Sequence, residues 1–296
     1  MTLIASDLAT MIDSVSQLEV RFVGTIARNP TIITQIDNGN ISLTEQYLKI
    51  QFKGLEGRYE GLFIADKSGI VRTEANHKEA INIDVSKRKY FEMAKSGKPN
   101  LSVPVISKLT GKLIMVAAYP IFNKKGAFLG IVGGTIKISS MIQYISSVKI
   151  GETGLPTLVD SEGRVILHPK EDYILGKQNE IYLSNSLLEK IQNRDTGSIE
   201  YSDRGIKKIA GFAPANFLNW EVLIIQDYDE IMEPAQSILM FLVFIGIIFL
   251  LISFSGIFIL SGIVSKPIEK TVNTLSEISN KSTELVISFD KNKRIT

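Results

Sequence analysis

The sequence contains no cysteine and only two histidines, His77 and His168, among its 296 residues. Structural zinc sites use cysteines and histidines clustered at short spacings, so this composition argues against a zinc site, and we expect no bound metal. We expect both histidines to lie at the surface, because each follows a predicted strand near a turn. The lack of cysteine neither demands nor excludes an oxidising compartment.

Catalytic motifs and an excess of one charge are also missing. The sequence has no nucleophile elbow, phosphate-binding loop, HExxH motif or paired-carboxylate pattern, which argues against an enzyme and against a bound cofactor. Lysine and arginine together number 33, and aspartate and glutamate 31, so the formal net charge is +2. A balance this close to neutral gives no support for nucleic-acid binding, and we expect none.

One long stretch has no charged residue at all, from Pro234 to Ser265. About 20 apolar residues span the roughly 30 Å core of a bilayer as a helix. A buried helix of a soluble protein is usually shorter and keeps a polar face. We therefore predict one transmembrane helix at 236–264, preceded by a large soluble-looking domain and followed by a short polar tail.

The charges that flank this helix predict its orientation. Four acidic residues precede it, and the basic residues that follow it are Lys266, Lys270, Lys281, Lys291, Lys293 and Arg294. Because positive charge favours the cytoplasmic side, we place the tail in the cytoplasm and residues 1 to about 233 outside the cell membrane. The N-terminal stretch MTLIASDLATMIDS has neither a basic n-region nor a long apolar core. It predicts no signal peptide, and the simplest interpretation is that the sequence lacks a preceding membrane helix.

Apolar residues at steps of three and four predict one long helix over residues 3–27. The stripe consists of Ile4, Leu8, Met11, Val15, Leu18, Phe22 and Ile26. We expect this helix to end near Pro30, and a second helix to cover 43–52 with Ser42 as its N-cap. The pattern then predicts two hairpins, one of 61–66 with 70–75 and one of 113–122 with 128–138. It also predicts two short helices, at 86–96 and 140–148.

The sequence repeats itself at a constant offset. Three pairs of residues lie 94 positions apart: Asp66 and Asp160, Gly69 and Gly163, Pro120 and Pro214. A shared offset predicts two tandem copies of one small module, each an antiparallel sheet made of two hairpins with a helix between them. The absence of strand–helix–strand alternation disfavours a parallel sheet. We therefore predict an α+β fold with a long N-terminal helix, two antiparallel-sheet modules and a C-terminal transmembrane helix.

These features resemble the double Cache sensor module, a pair of PAS-like domains found outside the membrane in bacterial chemoreceptors. The most specific likeness is at 84–121, where DVSKRKYF is similar to the family's D-x-S-x-R-x-Y-F helix. Residues 151–169 resemble the opening of the family's second module, and 265–279 resemble the first helix of a HAMP linker. The resemblance implies this organisation: helix and connection at 1–40, membrane-distal ligand-binding module at 41–140, membrane-proximal module at 141–230, transmembrane helix at 236–264 and partial HAMP linker at 265–296.

The resemblance implies the ligand-sensing region of a membrane receptor, most like a chemoreceptor, that binds a small organic molecule. No second HAMP helix or signalling coiled coil follows, so the chain looks like a receptor truncated at both ends. Three alternatives stay open: the sensor half of a histidine kinase or diguanylate cyclase, a stand-alone membrane-anchored binding protein, and an anchored enzyme. The family is typically homodimeric, and we expect the stripe at 4–26 to be the dimer contact.

The resemblance also implies a pocket behind the helix that carries Arg88, Tyr90 and Phe91. Arg88 matches the family's arginine that holds a ligand carboxylate, which suits a guanidinium because it donates two parallel hydrogen bonds. The alternative for Arg88 is a solvated place in a basic run. Tyr90 and Phe91 stand where the amino-acid-binding branch carries tryptophan and tyrosine. As neighbours in a helix, they are not both expected to face inward.

Thr135 stands where that branch carries an aspartate for the ligand amine. A neutral hydroxyl cannot balance an ammonium as a carboxylate does. The sequence therefore disfavours an α-amino acid and favours another small molecule, either a carboxylate or amine-like. Tyr119 is the remaining candidate, although a tyrosine in an apolar strand is more simply explained as core.

The predicted orientation can be tested with reporter fusions after Thr296 and at the turn formed by Lys124 and Lys125. With a signal or membrane helix supplied ahead of Met1, we expect the first reporter in the cytoplasm and the second outside. Loop charges orient a span but do not export a large domain by themselves. A chain that begins at Met1 and still places Lys124 outside would contradict this prediction.

Overall fold

The computed structural model describes residues 1–146, 148, 150–174 and 183–293. It consists of two units, Met1–Ile231 and Met232–Thr296. Residue 147 of the helix predicted at 140–148, and residues 294–296 of the predicted tail, lie outside the described residues. Every sheet and every packed core described below belongs to the first unit.

Three helices come first, and antiparallel strands separated by shorter helices follow, up to the long last helix. The helices are α1 Thr2–Ala27, α2 Pro30–Asp37, α3 Ser42–Phe52, α4 Lys89–Lys95, α5 Ile138–Ser146, α6 Asn185–Gln192 and α7 Tyr228–Lys293. The strands are β1 Tyr59–Asp66, β2 Val71–Glu74, β3 Asn100–Leu101, β4 Val105–Ile106, β5 Leu113–Phe122, β6 Phe128–Lys137, β7 Leu155–Val159, β8 Val165–Leu167, β9 Gly197–Asp203, β10 Ile206–Ala215 and β11 Trp220–Asp227. The predicted α+β fold, with a long first helix and two antiparallel sheets, is confirmed.

The two sheets share one arrangement of strands. The first has the order β2-β1-β6-β5-β3, with β4 also paired to β5, and the second has the order β8-β7-β11-β10-β9. All of these pairs are antiparallel. The repeat at an offset of 94 positions therefore corresponds to a repeat of topology. Sequence patterns missed β3, β4, β9 and α6, because these elements are short or carry little apolar alternation.

Helix α1 packs against the central strands of both sheets, β5 and β6 in the first and β10 and β11 in the second. Its buried face consists of Ala5, Leu8, Ala9, Ile12, Ser16, Glu19, Val20, Val23, Gly24, Ile26 and Ala27. Of the predicted stripe, Leu8 and Ile26 are fully buried, whereas Leu18 is 63% exposed. Most of the stripe packs against the chain's own sheets, while Leu18 stays exposed. A dimer contact along this helix stays a prediction.

The connection after α1 contains a helix that the sequence patterns did not predict. Pro30 ends the predicted first helix but also begins α2, where its fixed φ suits the first helical position. The Asn29 side chain caps α2 by accepting a hydrogen bond from the Thr31 amide at 2.9 Å. Helix α3 covers the predicted 43–52 but begins one residue earlier, at Ser42, which is therefore not its N-cap. Instead, the Asn40 side chain accepts the Ser42 amide hydrogen bond at 3.2 Å.

A buried charge on α1 is compensated by the first sheet. Glu19 is 4% exposed and accepts a hydrogen bond from the Tyr59 hydroxyl. Arg58 Nη1 lies 3.5 Å from Glu19 Oε1 and donates a hydrogen bond to Tyr144 Oη at 3.0 Å. Burial raises the pKa of Tyr59, and the neighbouring Glu19 charge raises it further. The phenol therefore stays protonated and remains the hydrogen-bond donor at this contact.

Helix α7 runs without interruption from Tyr228 to Lys293. Its most apolar 18-residue window has a mean hydropathy of 2.9. Within the described residues it is the one helix that is long and apolar enough to cross a membrane. The predicted span at 236–264 lies inside it, and the helix continues through Pro267.

The close approach of α1 to β6 depends on Gly134. A Cβ added there would lie 2.6 Å from Tyr59 Cε1 and 2.9 Å from Val23 Cγ1, and both of these side chains are buried. We expect Gly134→Ala to lower the free energy of unfolding by about 1–3 kcal/mol, the usual effect of overpacking a core. Gly57→Ala is the control, because no heavy atom lies within 4 Å of its added Cβ. Chemical denaturation followed by circular dichroism measures both, and equal midpoints would contradict the prediction.

Glu221 of β11 predicts a pH dependence of stability. It is 1% exposed, and both carboxylate oxygens lack a hydrogen bond within the described part of the chain. Burial raises the pKa of Glu221 to about 8, although the nearby Arg194 charge acts in the opposite direction. Between the ordinary carboxyl pKa of about 4.3 and this raised value, the folded state keeps a proton that the unfolded chain releases. The free energy of unfolding should therefore fall as the pH rises through this window.

Replacing Glu221 by Gln removes this titration. We expect Glu221→Gln to have a higher Tm than the parent at pH 8.5, with the difference shrinking toward pH 5. Thermal unfolding at a series of pH values measures the effect. Parallel pH profiles for the two proteins would show that Glu221 titrates normally.

Candidate ligand-binding cavity

A cavity lies on the outer face of the first sheet, the face turned away from α1. It is an open cleft whose space is about 580 Å³ with the solvent-filled mouth included. We call it the first cavity. Its lining comes from β1, β2, β4, β5 and β6, from the loop after β2 and from α4. The apolar part includes Phe63, Val71, Ile83, Val85, Tyr90 and Val116.

Arg88 stands at the edge of the first cavity, as the N-cap residue of α4. Its Nη2 donates a hydrogen bond to the Ile106 carbonyl at 3.2 Å. Within the described residues it forms no ion pair. The rest of the guanidinium fork is therefore available to a ligand carboxylate or another acceptor.

Two carboxylates, Glu74 and Glu60, line the same cavity. Glu74 is 5% exposed, and its Oε2 accepts hydrogen bonds from the amides of Asn76, at 2.6 Å, and His77. Glu60 Oε1 accepts a hydrogen bond from Ser107 Oγ at 2.9 Å. Burial raises the pKa of Glu74, while the two amide hydrogen bonds oppose this shift. The first cavity therefore contains a cationic group and two acidic groups.

Sequence reasoning missed Glu74 because of a β-bulge. Simple alternation along β2 would place Glu74 on the same side as Arg72, which is exposed. The pairing of β1 with β2 shifts register: Ala65 lies opposite Val71, Ile64 opposite Thr73 and Phe63 opposite Glu74. The extra residue, Arg72, reverses the alternation and turns Glu74 to the face of Val71. Hydrophobic pattern alone does not reveal such a shift.

Of the other candidate residues, some line the first cavity and some do not. Tyr90 and Phe91 are both buried, at 6% and 2% exposed. Tyr90 lines the cavity, whereas Phe91 packs edge-on against Phe128 with the ring centroids 6.1 Å apart. Burial raises the pKa of Tyr90 to about 12, although the Arg88 charge opposes this. The Tyr90 hydroxyl therefore stays protonated at neutral pH.

Thr135 lines the cavity, and its Oγ1 donates a hydrogen bond to the Gly61 carbonyl at 2.9 Å. Tyr119 does not join the other candidates. Its ring lies on the opposite face of the sheet, against Gly24 of α1, with the Arg28 guanidinium 5.1 Å from its centroid. The structure thus brings together Arg88, Tyr90 and Thr135, and it places the half-buried Tyr119 against α1, away from the first cavity.

The two histidines do not behave as the sequence led us to expect. His77 is half-buried and lines the first cavity. His168 is only 3% exposed, so its predicted surface position is wrong. Its ring lies against Tyr173, with centroids 4.5 Å apart, in a second cavity of the second sheet. Within the described residues, no group of three or more histidines or acidic residues is placed to hold a metal ion.

A family model described as the Cache domain matches residues 1–235. The methyl-accepting chemotaxis protein PctB of Pseudomonas aeruginosa is 26% identical over 151 residues, which are 50% of this chain and 23% of that protein. Its ligand-binding domain with L-Gln has a TM-score of 0.60 at 20% identity, covering 75% of this chain and 88% of that one. The ligand-binding domain of the Pseudomonas fluorescens chemoreceptor CtaA with L-alanine has a TM-score of 0.61 at 22% identity, covering 77% and 95%. The chain thus spans less than a quarter of the length of PctB.

These neighbours overturn the prediction that disfavoured an α-amino acid, because both are solved with an α-amino acid bound. The prediction rested on Thr135 standing where a carboxylate is expected. It overlooked that a carboxylate can reach the same cavity from another strand. Glu74 on β2 and Glu60 on β1 both do so. Their carboxyl groups can supply the counter-charge for an ammonium group in this cavity.

Proposed function

This chain belongs to the Cache domain family, and we propose that it is the ligand-sensing region of a membrane-anchored chemoreceptor. In this proposal a small zwitterion, such as an amino acid, binds in the first cavity. The observation that carries the proposal is the pairing of Arg88, free of any ion pair within the described residues, with the buried carboxyl of Glu74 in one cavity.

The chemistry of the first cavity suits both ends of such a ligand. The fork of Arg88 offers parallel donors for a carboxylate. Glu74 offers an acceptor for an ammonium group, and a bound ammonium would favour its ionised form, against the raised pKa that burial alone produces. The amino-acid complexes of PctB and CtaA support this ligand class.

The predicted domain organisation becomes part of this proposal. We assign ligand binding to the module at 41–140, a supporting role to that at 141–230, and the membrane crossing to 236–264. The sensor then lies outside the cell membrane and the tail in the cytoplasm. The apolar character of α7 and the positive charges after it support this arrangement.

The relatives found by sequence favour a chemoreceptor over the alternative functions. PctB is named as a methyl-accepting chemotaxis protein, as are the other relatives that the chain resembles over larger shares of its length, such as TlpA of Bacillus subtilis. This supports a non-catalytic sensor over an anchored enzyme, and a chemoreceptor over the sensor half of a histidine kinase or diguanylate cyclase.

The role of Arg88 is tested with the full chain in detergent, by calorimetric titration with the standard amino acids and γ-aminobutyrate. We expect at least one to bind, and Arg88→Ala to weaken that binding about 30-fold or more, because loss of one partner of a buried ion pair removes about 2–5 kcal/mol. Lys87→Ala is the control, since Lys87 is exposed and does not line the cavity. Unchanged affinity in Arg88→Ala would place this arginine on the solvated surface.

The same titration tests Glu74. We expect Glu74→Gln to weaken the binding of a ligand that has an ammonium group. The substitution should have little effect on the binding of the matching carboxylic acid that lacks the amine. Glu92→Gln is the control, an exposed carboxylate on α4. A panel in which no amino acid binds the parent chain would contradict the proposed ligand class.

A further inference from the structure

A second cavity lies on the outer face of the second sheet. Its volume is about 550 Å³ with its open mouth included, close to that of the first cavity. It is lined by side chains from β7, β9, β10 and β11 and from the segment after β8. The repeat places the two cavities at equivalent positions, because Thr157, His168 and Lys208 follow Phe63, Glu74 and Ile114 by 94 residues each.

At these positions the lining of the second cavity is more polar than the lining of the first cavity. Thr157, His168 and Tyr201 are 1%, 3% and 8% exposed. His168 Nδ1 lies 3.0 Å from the Lys170 amide nitrogen and 3.2 Å from the Lys170 carbonyl oxygen. The Lys170 backbone therefore engages Nδ1 in either tautomer, and Nε2 is the ring nitrogen left for the cavity. Burial lowers the pKa of His168, which keeps the ring neutral near pH 7.

These three side chains have unused hydrogen-bonding capacity. Within the described residues, the Thr157 hydroxyl, the Tyr201 hydroxyl and His168 Nε2 form no hydrogen bond, and all three side chains line the cavity. None of these three polar atoms is shut off from solvent, so each opens into the cavity. The hydroxyl groups of a ligand can replace water at these positions.

The charges in the second cavity already balance each other. Lys208 Nζ lies 3.5 Å from Asp203 Oδ2 and 3.7 Å from Asp227 Oδ1. Lys170 Nζ, at the rim, lies 5.9 Å from the centre of the Tyr173 ring. Two ammonium groups thus face two carboxylates, which leaves no net charge to pair with an ionised ligand. The unused groups are the three neutral side chains and Asp203 Oδ1, which is buried without a hydrogen bond within the described residues. Hydroxyl groups can donate to or accept from all of them.

The second cavity adjoins the first turn of α7. Thr153 lines it, and both the Thr153 amide, at 2.9 Å, and the Thr153 hydroxyl donate hydrogen bonds to Glu230. Thr153 Oγ1 also accepts the Asp227 amide hydrogen bond at 3.1 Å. The hydroxyl and amide hydrogen bonds lower the pKa of Glu230 to about 2, so the carboxylate stays charged. This contact lies within the unit Met1–Ile231.

We propose that the second cavity is a further ligand site, for a small uncharged molecule with several hydroxyl groups, and that its occupancy restrains the Thr153–Glu230 contact at the start of α7. Thr157, His168 and Tyr201 supply the hydrogen bonds. The site is independent of ligand binding in the first cavity.

The test uses the full chain in detergent and four neutral probes: glycerol, myo-inositol, ribose and glucose. Trp220, the single tryptophan, is 3% exposed at the start of β11, so its fluorescence reports on the second sheet. We expect at least one probe to raise the Tm. Tyr201→Phe and Thr157→Val each remove one unbonded hydroxyl with little change of shape, and each should weaken binding about fivefold.

Arg88→Ala separates the two sites. It should leave probe binding unchanged, whatever it does to amino-acid binding in the first cavity. Hydrogen exchange at the Glu152 and Thr153 amides, which donate to Glu230, should slow when the probe binds. The proposal is overturned if none of the four probes raises the Tm, if both hydroxyl variants bind the probe as the parent does, or if Arg88→Ala abolishes its binding. Unchanged exchange at these two amides would overturn the link to α7.

Discussion

The rest of the first unit depends on one constraint, which is that a single helix supplies the inner surface for two sheets. Helix α1 packs against β5 and β6 and also against β10 and β11. The largest hydrophobic cluster is therefore continuous, from Ala5 on α1 to Ile136 in the first sheet and Val222 in the second. Small residues make this approach possible: a Cβ at Gly24 would lie 2.7 Å from the Tyr119 ring.

Because α1 covers the inner faces, the outer face of each sheet is free to form a cavity. Each outer face has its own small cluster, and a short helix completes each one, α4 in the first sheet and α6 in the second. Polar and charged side chains converge on a cavity on each outer face, beside α4 in the first sheet and beside the segment after β8 in the second. In this arrangement binding groups can vary while the shared core stays the same, as the different linings at Glu74 and His168 illustrate.

Arg88 and Tyr90 could be assigned to one candidate cavity from sequence because they belong to one short segment with a specific pattern. The rest depends on contacts between distant segments. Glu74 reaches the first cavity through a bulge in β2, and Tyr119 turns to α1 because alternation along β5 assigns it to the inner face. His168 looked like a surface residue from its place beside a turn, but the segment after β8 folds back over it.

The sequence by itself determined the elements whose signals are local: the first helix from its apolar period, the long hairpins, the repeat and the uncharged span in α7. These follow from side-chain spacing within one segment. Tertiary structure alone decided which face each strand turns to α1, and hence which carboxylates share a cavity with Arg88. The physical reason is that a one-residue shift of register reverses every side chain in a strand, and that shift is set by pairing with a distant strand.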